Sequence, residues 1–559
     1  MASQSPDKRA QDLIGEGDKL FGDRLTLMSL WQEIAYNTYL ERADFTLQRI
    51  MGNTLGENLM TSYPLIARRE LANTLGTMLR PKETEWFFAE TTRMDRIDTA
   101  GKKWLERATR TQRRALYDRE SLFVKACKEG DHDFAAFGQA VVYVSMNRDR
   151  DALLFRTFHL RDVAWSEDEE TRITRIHRKG KMTAQAMVKK WRDTVSPEVK
   201  AIADKEPLTE LEYRHVVVPA EDYEAGRRFR RKWMSIYIAV DGEKVLEETN
   251  VRTQGYVIPR WQTVSGSQYA YSPATVCGLP DMRLIQAMTL TLLEAGERFT
   301  NPPMIAVQEA IRSDIAVYAG GITWVDSAYD ERLGEVLRPL TQDRGGMPIG
   351  RDMRNDVKEA IAECFFLNKL QMPEMGGGPQ MTAFEVGQRV QEYIRQALPI
   401  FEPMEQEYNG GLCDASFDIL LHEGAFGPVN EIPRSIMGAD IRFRFESPLT
   451  EIIDSQKGAR LATAKQLLAT VVDVDPTAVY VLDWQAAFRD ALEGNRTPEA
   501  WFHDPKIAAK LAAAHAQAAQ QAQQLQDLQA GSNIAKNLGA AAPGLSQLGA
   551  AMPTPQQAA

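Results

Sequence analysis

The spacing of apolar residues predicts that the first part of the chain is mostly helical. Apolar side chains recur at about the 3.6-residue period of an amphipathic helix from Leu13 to Ala35, and the pattern continues from Leu55 to Leu79. Arg80-Pro81 ends that helix, because a residue before proline is pushed out of helical geometry. A further apolar stripe, from Asp98 to Lys128, predicts another helical segment.

The pattern changes to β-strand between Gly138 and about Ile258. Short runs rich in β-branched and aromatic residues predict strands at Ala140–Val144, Leu154–Phe158, Tyr213–Val218 and Trp233–Val240. A helix is predicted from Thr183 to Thr194, between the second and third of these strands. This part of the chain is therefore predicted to be an α+β unit.

A helix, a compact insert and a second helix follow. The first helix begins near Leu279 and runs to Pro302, and the second occupies Asp352 to Leu370. The insert carries strand and glycine-rich turn signals, including Gly320-Gly321 and Gly345-Gly346.

Next comes a loop from Met372 to Met381, in which Pro373, Pro379 and the run Gly376-Gly377-Gly378 exclude regular structure. A loop of this kind between helices is either a surface hinge or a segment that reaches into open space.

The remainder of the chain is predicted to be helical apart from one short strand. A long helix runs from Thr382 to about His422, the strand is Ile441–Phe445, and helices resume from Glu451 to His515. Beyond Ala512 the sequence is rich in Ala and Gln, which predicts a fraying helix followed by disorder.

Composition and charge narrow the classes of protein. The 559 residues are 44% hydrophobic and 26% charged, which is typical of a globular protein of several domains. A formal net charge of −10 excludes strong nucleic-acid binding by bulk charge, so any contact with DNA is local or weak. The four cysteines lie far apart, which indicates free thiols in a reducing compartment. No signal peptide or membrane-spanning segment is predicted, so we expect a soluble protein made in a cytoplasm.

The stripe from Asp98 to Lys128 is surrounded by bases. They are Lys102, Lys103, Arg107, Arg110, Arg113, Arg114 and Arg119. One interpretation is a solvated helix face, and the other is a contact surface for a neighbouring subunit or nucleic acid.

No pattern typical of an enzyme, a cofactor site or a metal site is found. The segment Gly345–Asp352 has two glycines at the spacing of a phosphate-binding loop, but Arg351 and Asp352 replace the required Lys and hydroxyl. The cluster Asp131-His132-Asp133 lacks a third ligand at workable spacing, so we predict a turn leading into a packed strand there.

Local motifs in a fixed order make the chain similar to a known family. The motifs are Trp86-Phe87, Phe134–Gly138, Arg260-Trp261, Gly266, Tyr269–Pro273, Leu279-Pro280-Asp281, Thr382–Val386 with Arg389, and Ser447-Pro448-Leu449 after Phe443 and Phe445. Together with the helix–insert–helix–loop order, they resemble the portal, or head-to-tail connector, of short-tailed bacteriophages over roughly Leu13 to His515. The chain departs from the family at Ala270, where the family usually has Gly, and in its short tail.

The resemblance implies a mainly helical α+β portal fold that assembles into a ring. The implied parts are a wing (1–276 and 384–445), stem helices (277–300 and 353–370), a clip (301–352), a tunnel loop (371–383), a crown (446–515) and a flexible tail (516–559). It implies a non-enzymatic dodecamer at one capsid vertex of the virion, assembled in the bacterial host cytoplasm. Genomic DNA would be packaged through the ring by a separate terminase and later ejected, and an acidic bore would keep the duplex from being bound tightly.

The resemblance also implies partners and site residues. The partners are double-stranded DNA without sequence specificity, the terminase large subunit, major capsid and scaffolding proteins, and tail adaptor or nozzle proteins, with no membrane insertion and no cofactor. The DNA-contacting tunnel loop would use Met372, Glu374, Met375, Gly376, Gly377, Gly378, Gln380 and Met381. Trp324 and Tyr329 would dock clip partners, unless Trp324 is core of the clip, and Arg110, Arg113 and Arg114 would lie at the subunit interface. The alternatives are a phage DNA-processing enzyme (terminase or nuclease), or an internal scaffold or other virion interaction protein.

Overall fold

The computed structural model describes most of the chain outside several segments. The described residues are 7–47, 56–92, 97–223, 230–306, 311, 324, 326, 337–339, 346–370, 404–445, 461–469, 481, 483–494, 497, 501–503 and 507–525. They fall into two compact units that are each discontinuous in sequence. The first comprises Met1–Thr92, Arg107–Glu431 and Asp440–Ile452, and the second comprises Arg93–Glu106, Ile432–Ala439 and Ile453–Ala559.

Five helices dominate the N-terminal part. They are α1 (Lys8–Asp23), α2 (Leu25–Thr38), α3 (Tyr63–Leu79), α4 (Thr99–Leu116) and α5 (Phe123–Phe137). The predicted helix end at Arg80 is confirmed, but α3 begins at Tyr63 and not at Leu55. The predicted segment from Asp98 to Lys128 is two helices, because Leu122 takes a left-handed conformation (φ 54°) that interrupts the helix.

The α+β unit predicted between Gly138 and Ile258 is confirmed, with more strands than predicted. The strands of the unit are β2 (Val141–Met146), β3 (Leu153–Phe158), β4 (Val163–Glu167), β5 (Ile173–Thr183), β6 (Glu210–Pro219), β7 (Trp233–Ala239), β8 (Lys244–Val251) and β9 (Tyr256–Val257). They form an antiparallel five-stranded sheet, β4-β5-β6-β7-β8, and a three-stranded sheet, β3-β2-β9. The predicted helix at 183–194 is α6 (Ala184–Lys190), and α7 (Pro197–Lys205) and the short α8 (Ala220–Tyr223) were not predicted.

Both faces of the five-stranded sheet are covered. Even-numbered side chains of β6 and β7, such as Val216 and Ile236, pack against Ala10 and Leu13 of α1. Odd-numbered side chains of the same strands point to the opposite face, where Tyr213 joins the cluster around α6 and α7. The two-residue period of a strand produces this division, and burial on both faces explains the nearly continuous apolar runs in the sequence.

Two further strand pairs join distant parts of the chain. β1 (Phe87–Thr91) pairs with β12 (Ile441–Phe445), which confirms the predicted strand there. β10 (Met304–Ala306) pairs with β11 (Leu337–Pro339) inside the predicted clip.

The later helices are α9 (Pro273–Thr300), α10 (Gly346–Cys364), α11 (Leu367–Leu370), a π-helix (Glu405–Gly410), α12 (Gly411–His422) and α13 (Trp484–Gly494), with helical residues also at 461–469 and 507–525. Of these, α9 and α10 begin earlier than their apolar patterns suggest. The phosphate-loop-like segment at 345–352 is therefore largely the first turns of α10 and not a loop. The first ten residues of the predicted flexible tail are helical. None of the helices in the described part of the chain combines the length and apolarity needed to cross a membrane.

Candidate functional site: the paired helices α9 and α10

α9 and α10 form an antiparallel pair with close backbone approach. A Cβ built at Gly278 would lie 3.5 Å from the Cβ of Cys364, and one at Gly350 would lie 2.9 Å from Cδ2 of Leu292. The start of α9 thus meets the end of α10, and the register is kept along the pair. These two helices lie at the positions predicted for the stem.

The N-terminus of α9 is anchored to the C-terminus of α5. The hydroxyls of Ser272 and Thr275 donate to the carbonyls of Ala135 and Ala136, each at 2.8 Å. These carbonyls lie in the last turn of α5, where no intrahelical donor remains. Gly138, at φ 74°, makes the approach possible, because a Cβ there would lie 2.1 Å from the backbone of Tyr271.

Polar and apolar contacts hold α9 to the N-terminal helices. Arg283 binds Glu33 of α2 through two nitrogen–oxygen contacts of 2.6 and 2.8 Å. The Gln286 carbonyl accepts from the backbone amides of Met60 and Thr61. On the inner face, Ile285 packs in one core cluster with residues of α3 and α10. The pair is therefore a fixed part of the first unit.

The outward face of α10 is a row of carboxylates. Asp352, Asp356, Glu359 and Glu363 are all exposed, and their spacing of four, three and four residues puts them on one helix face. The row rises about 16 Å along the helix axis. The bases Arg354 and Lys358 are only partly exposed, and Lys358 Nζ lies 5.6 Å from the centre of the Tyr63 ring. Arg351 is exposed but lies on a different face of the helix. We call the four residues the α10 acidic row.

The outward face of α9 is mostly uncharged, apart from Arg283 at its edge, which binds Glu33. Val276, Pro280, Leu284, Ala287 and Thr291 are exposed and share one face of the helix. Val276 and Leu284 keep 42% and 47% of their surface accessible. This face is the α9 apolar row.

Most of the residues predicted from the resemblance lie where the structure gives no description. All of the predicted tunnel-loop residues, Met372 to Met381, and Tyr329 lie outside the described residues. Trp324 is described and is 68% exposed. The roles predicted for these residues stay predictions.

The three predicted interface arginines lie on α4 but are not equivalent. Arg110 and Arg114 are exposed, and Arg110 Nε lies 3.8 Å from Oε1 of Glu85. Arg113 is turned toward its own chain and donates to the carbonyl of Lys82 at 2.8 Å. Only Arg110 and Arg114 therefore point outward in a single subunit.

The predicted turn at Asp131-His132-Asp133 is wrong, because all three residues lie in α5. Three consecutive helical residues span about 200° of the helix circumference, so side chains from several directions surround this part of α5. Each of the three binds an arginine that is distant in sequence: Arg80, Arg68 and Arg42, respectively. Sequence spacing contains no signal for these pairs.

The Arg80–Asp131 pair is fully buried and joins three elements. Arg80 Nη1 donates to Oδ1 of Asn409 in the π-helix at 2.8 Å, and its guanidinium lies 4.6 Å from the centre of the Tyr408 ring. Burial lowers the pKa of Arg80, but the interactions with Asp131, Cys127 and Tyr408 together raise it. Burial also raises the pKa of Asp131, and the attraction of Arg80 opposes that rise. The contact ties α3 and α5 to the π-helix.

No metal site accompanies these groups in the described part of the chain, where no three His, Cys, Asp or Glu side chains are placed to hold an ion.

The order and placement of these elements agree with a family of phage proteins. Residues 10–501 match the family model described as "Bacteriophage head to tail connecting protein". The chain belongs to this family. The resemblance inferred from the sequence motifs is thereby confirmed, and a DNA-processing enzyme is not favoured.

Two curated relatives of this connector-family chain are named portal proteins. The "Probable portal protein" of Bordetella phage BPP-1 is 27% identical over 456 residues, which cover 78% of this chain and 79% of the relative. The "Portal protein" of Salmonella phage epsilon15 is 21% identical over 431 residues, covering 75% of each chain. A chain of the solved structure "Virion of native gene transfer agent (GTA) particle" overlaps 75% of this chain and 91% of its own, at 9% identity. Its TM-score is 0.34, too low to support an argument about the fold.

Proposed function

We propose that the protein is the portal subunit of a phage head. Copies of the chain close into a dodecameric ring at one capsid vertex, and the ring is the passage for genomic DNA during packaging and ejection. The ring carries out no catalysis, because a separate terminase supplies the work of packaging. The observation that carries this proposal is the antiparallel pair α9/α10 with its acidic row, in a chain of the head-to-tail connecting family.

The α10 acidic row suits the wall of a DNA passage. A protein that holds DNA gains affinity when cationic side chains release counterions from phosphates. A passage must not bind DNA tightly, because every base pair must leave as easily as it enters. Four exposed carboxylates per subunit, repeated around a ring, repel the phosphates from every side and keep the duplex near the axis.

The α9 apolar row suits contact between subunits. Exposed Val276 and Leu284 would be removed from water when a second copy packs on this face, and burial of such side chains favours association by about 25 cal/mol per Å². Identical contacts that close around a ring are heterologous, so the partner face is a different surface of the next copy.

The remaining assignments follow from the order of the segments along the chain. The clip, 301–352, would dock the terminase and later the tail adaptor, with Trp324 exposed in a single subunit. The loop from Met372 to Met381 would project into the passage and contact DNA through thioethers without capturing phosphates. The capsid and scaffolding proteins would surround the ring at the vertex.

Two measurements test the proposal. Electron microscopy and native mass determination of the full-length protein should show a closed ring with a central opening. A variant with the α10 acidic row neutralised (Asp352→Asn, Asp356→Asn, Glu359→Gln and Glu363→Gln) should form the same ring. It should bind a short linear duplex more tightly than wild type at low salt, because repulsion in the passage is lost.

A matched control removes the same charge elsewhere. Asp193→Asn, Glu198→Gln, Asp204→Asn and Glu210→Gln neutralise four exposed carboxylates outside the stem helices and should leave duplex binding near the wild-type value. A protein that stays monomeric under all conditions would contradict the ring. Equal duplex binding by the α10 variant and this control would show that the acidic row does not face the passage.

A further inference from the structure

The second half of α4 exposes only arginine. Between Arg107 and Leu116, the exposed side chains are those of Arg107, Arg110 and Arg114. Spacings of three and four residues bring all three to one face of the helix, over a rise of about 10 Å. We call these three residues the α4 arginine row.

The buried face of α4 holds the row in place. The Gln112 amide donates to the Cys413 carbonyl at 2.8 Å and to the Ser416 hydroxyl at 2.9 Å. The Thr109 hydroxyl accepts from the backbone amide of Ala89 at 3.0 Å. Because these buried hydrogen bonds fix the helix rotation, the arginines are directed outward before any partner arrives.

Two described carboxylates, Glu431 and Glu85, make only loose contacts with the row. Arg107 Nη2 lies 3.5 Å from Glu431 Oε2, with both side chains more than half exposed. Glu85 is shared between Arg110 at 3.8 Å and Arg113 at 4.0 Å. Exposed pairs of this kind contribute about 0–1 kcal/mol, so a stronger anion can replace them. Within the described part of the chain, Arg114 forms no ion pair.

We propose that the α4 arginine row binds the phosphate backbone of duplex DNA on a surface of the protein outside the channel. This inference rests on the proposed function in taking DNA as the polyanion that the protein handles. One strand of a duplex places a phosphate about every 3.4 Å along the axis, so a row of 10 Å covers about three phosphates. A guanidinium also pairs with phosphate through two parallel hydrogen bonds.

The contact carries no sequence information, because phosphate contacts position a duplex and base-edge contacts specify it. It is also local, since the chain as a whole carries a net charge of −10. The row therefore binds DNA weakly and in a salt-sensitive way, whereas the acidic passage repels DNA.

The competing occupant is an acidic face of a second copy. The α10 acidic row has the same alternation of three- and four-residue spacings as the arginine row. If α4 met such a face, removing the arginines would weaken assembly rather than DNA binding.

The experiment uses relaxed, covalently closed circular DNA, which cannot thread a closed ring. Full-length wild type is compared with Arg107→Gln/Arg110→Gln/Arg114→Gln. Losing three phosphate contacts should lower the slope of log affinity against log salt by about 2.7 and the affinity at 0.1 M salt by on the order of 10²-fold. The variant with lysine at all three positions should keep most of the salt slope, because the charges remain. Lys189→Gln/Arg192→Gln/Lys205→Gln, which removes three exposed bases elsewhere, should lose little affinity.

The outcomes separate this inference from the proposed function. Equal salt slopes for wild type and the α4 glutamine variant would overturn the DNA contact, whatever the assembly state. Loss of rings in that variant alone would also overturn it and assign the row to the subunit interface. Failure of the wild-type chain to form rings would contradict the proposed function, while the comparison of salt slopes would still decide the role of the row.

Discussion

The buried pair Arg80–Asp131 gives the sharpest test of what holds the first unit together. The two side chains are only 4% and 7% exposed, and Arg80 also binds Asn409 and covers the Tyr408 ring. We consider three variants: Arg80→Met, Asp131→Leu and the double variant. Each single change leaves one charge buried without its partner, whereas the double change removes both charges.

The expected magnitudes follow from that asymmetry. Removing one partner of a buried ion pair costs about 3–5 kcal/mol, because the remaining charge is left in a poorly solvated site. Replacing both partners by apolar side chains of similar size is often close to neutral. We therefore expect each single variant to lose about 4 kcal/mol of unfolding free energy, and the double variant to recover most of it. The coupling energy should be at least about 3 kcal/mol.

The assay combines thermal unfolding with hydrogen exchange of the α3 and α5 amides. Exchange is needed because a protein of two units does not unfold in one step, and it reports the local free energy of opening. Both single variants should accelerate exchange in the two helices, and the double variant should restore slow exchange. Single variants that each lose less than about 1 kcal/mol, with additive effects in the double variant, would refute the claim that this pair is desolvated and coupled.

Three further changes have clear expected results. Gly138→Ala should destabilise the protein by at least about 2 kcal/mol, because it forces a left-handed residue against the backbone of Tyr271. Gly242→Ala, also at positive φ but with no neighbouring atoms, should cost only about 1 kcal/mol. The melting temperatures of the two variants test this difference. Burial, and then repulsion from Arg68, lowers the pKa of His132 to about 4. The contribution of His132 to stability should therefore be complete above pH 6.5, the ordinary pKa of histidine. Roughly 1–2 kcal/mol of it should be lost as the pH falls from 6.5 to 4. His132→Asn should reduce this acid sensitivity in pH-dependent melting, and an unchanged profile would contradict the assignment. Removing 516–559 should leave the melting temperature and the number of subunits per assembly unchanged, since every side chain of the helical residues 507–525 is exposed. Loss of assembly would show that the tail is structural.

The sequence by itself determined which elements exist and in what order. The spacing at which apolar residues recur distinguishes the N-terminal helices from the strands after Gly138. Two helical apolar patterns on either side of residues 301–352 predict the helix–insert–helix unit. The short motifs then supported the family that the match over residues 10–501 shows. These signals are local: each depends on residues within one turn or one strand of each other.

Tertiary structure alone decided which charged residues are buried and which face outward. The sequence predicts that Asp131-His132-Asp133 is a turn leading into a packed strand, yet its partners Arg80, Arg68 and Arg42 lie 51 to 91 residues away along the chain. The same holds for the outward rows: α4 and α10 contain mixed charges, and only their packing places the α4 arginine row and the α10 acidic row on exposed faces. The physical reason is that a charge is stabilised either by water or by a partner, and the fold, not the local pattern, determines which of the two it meets.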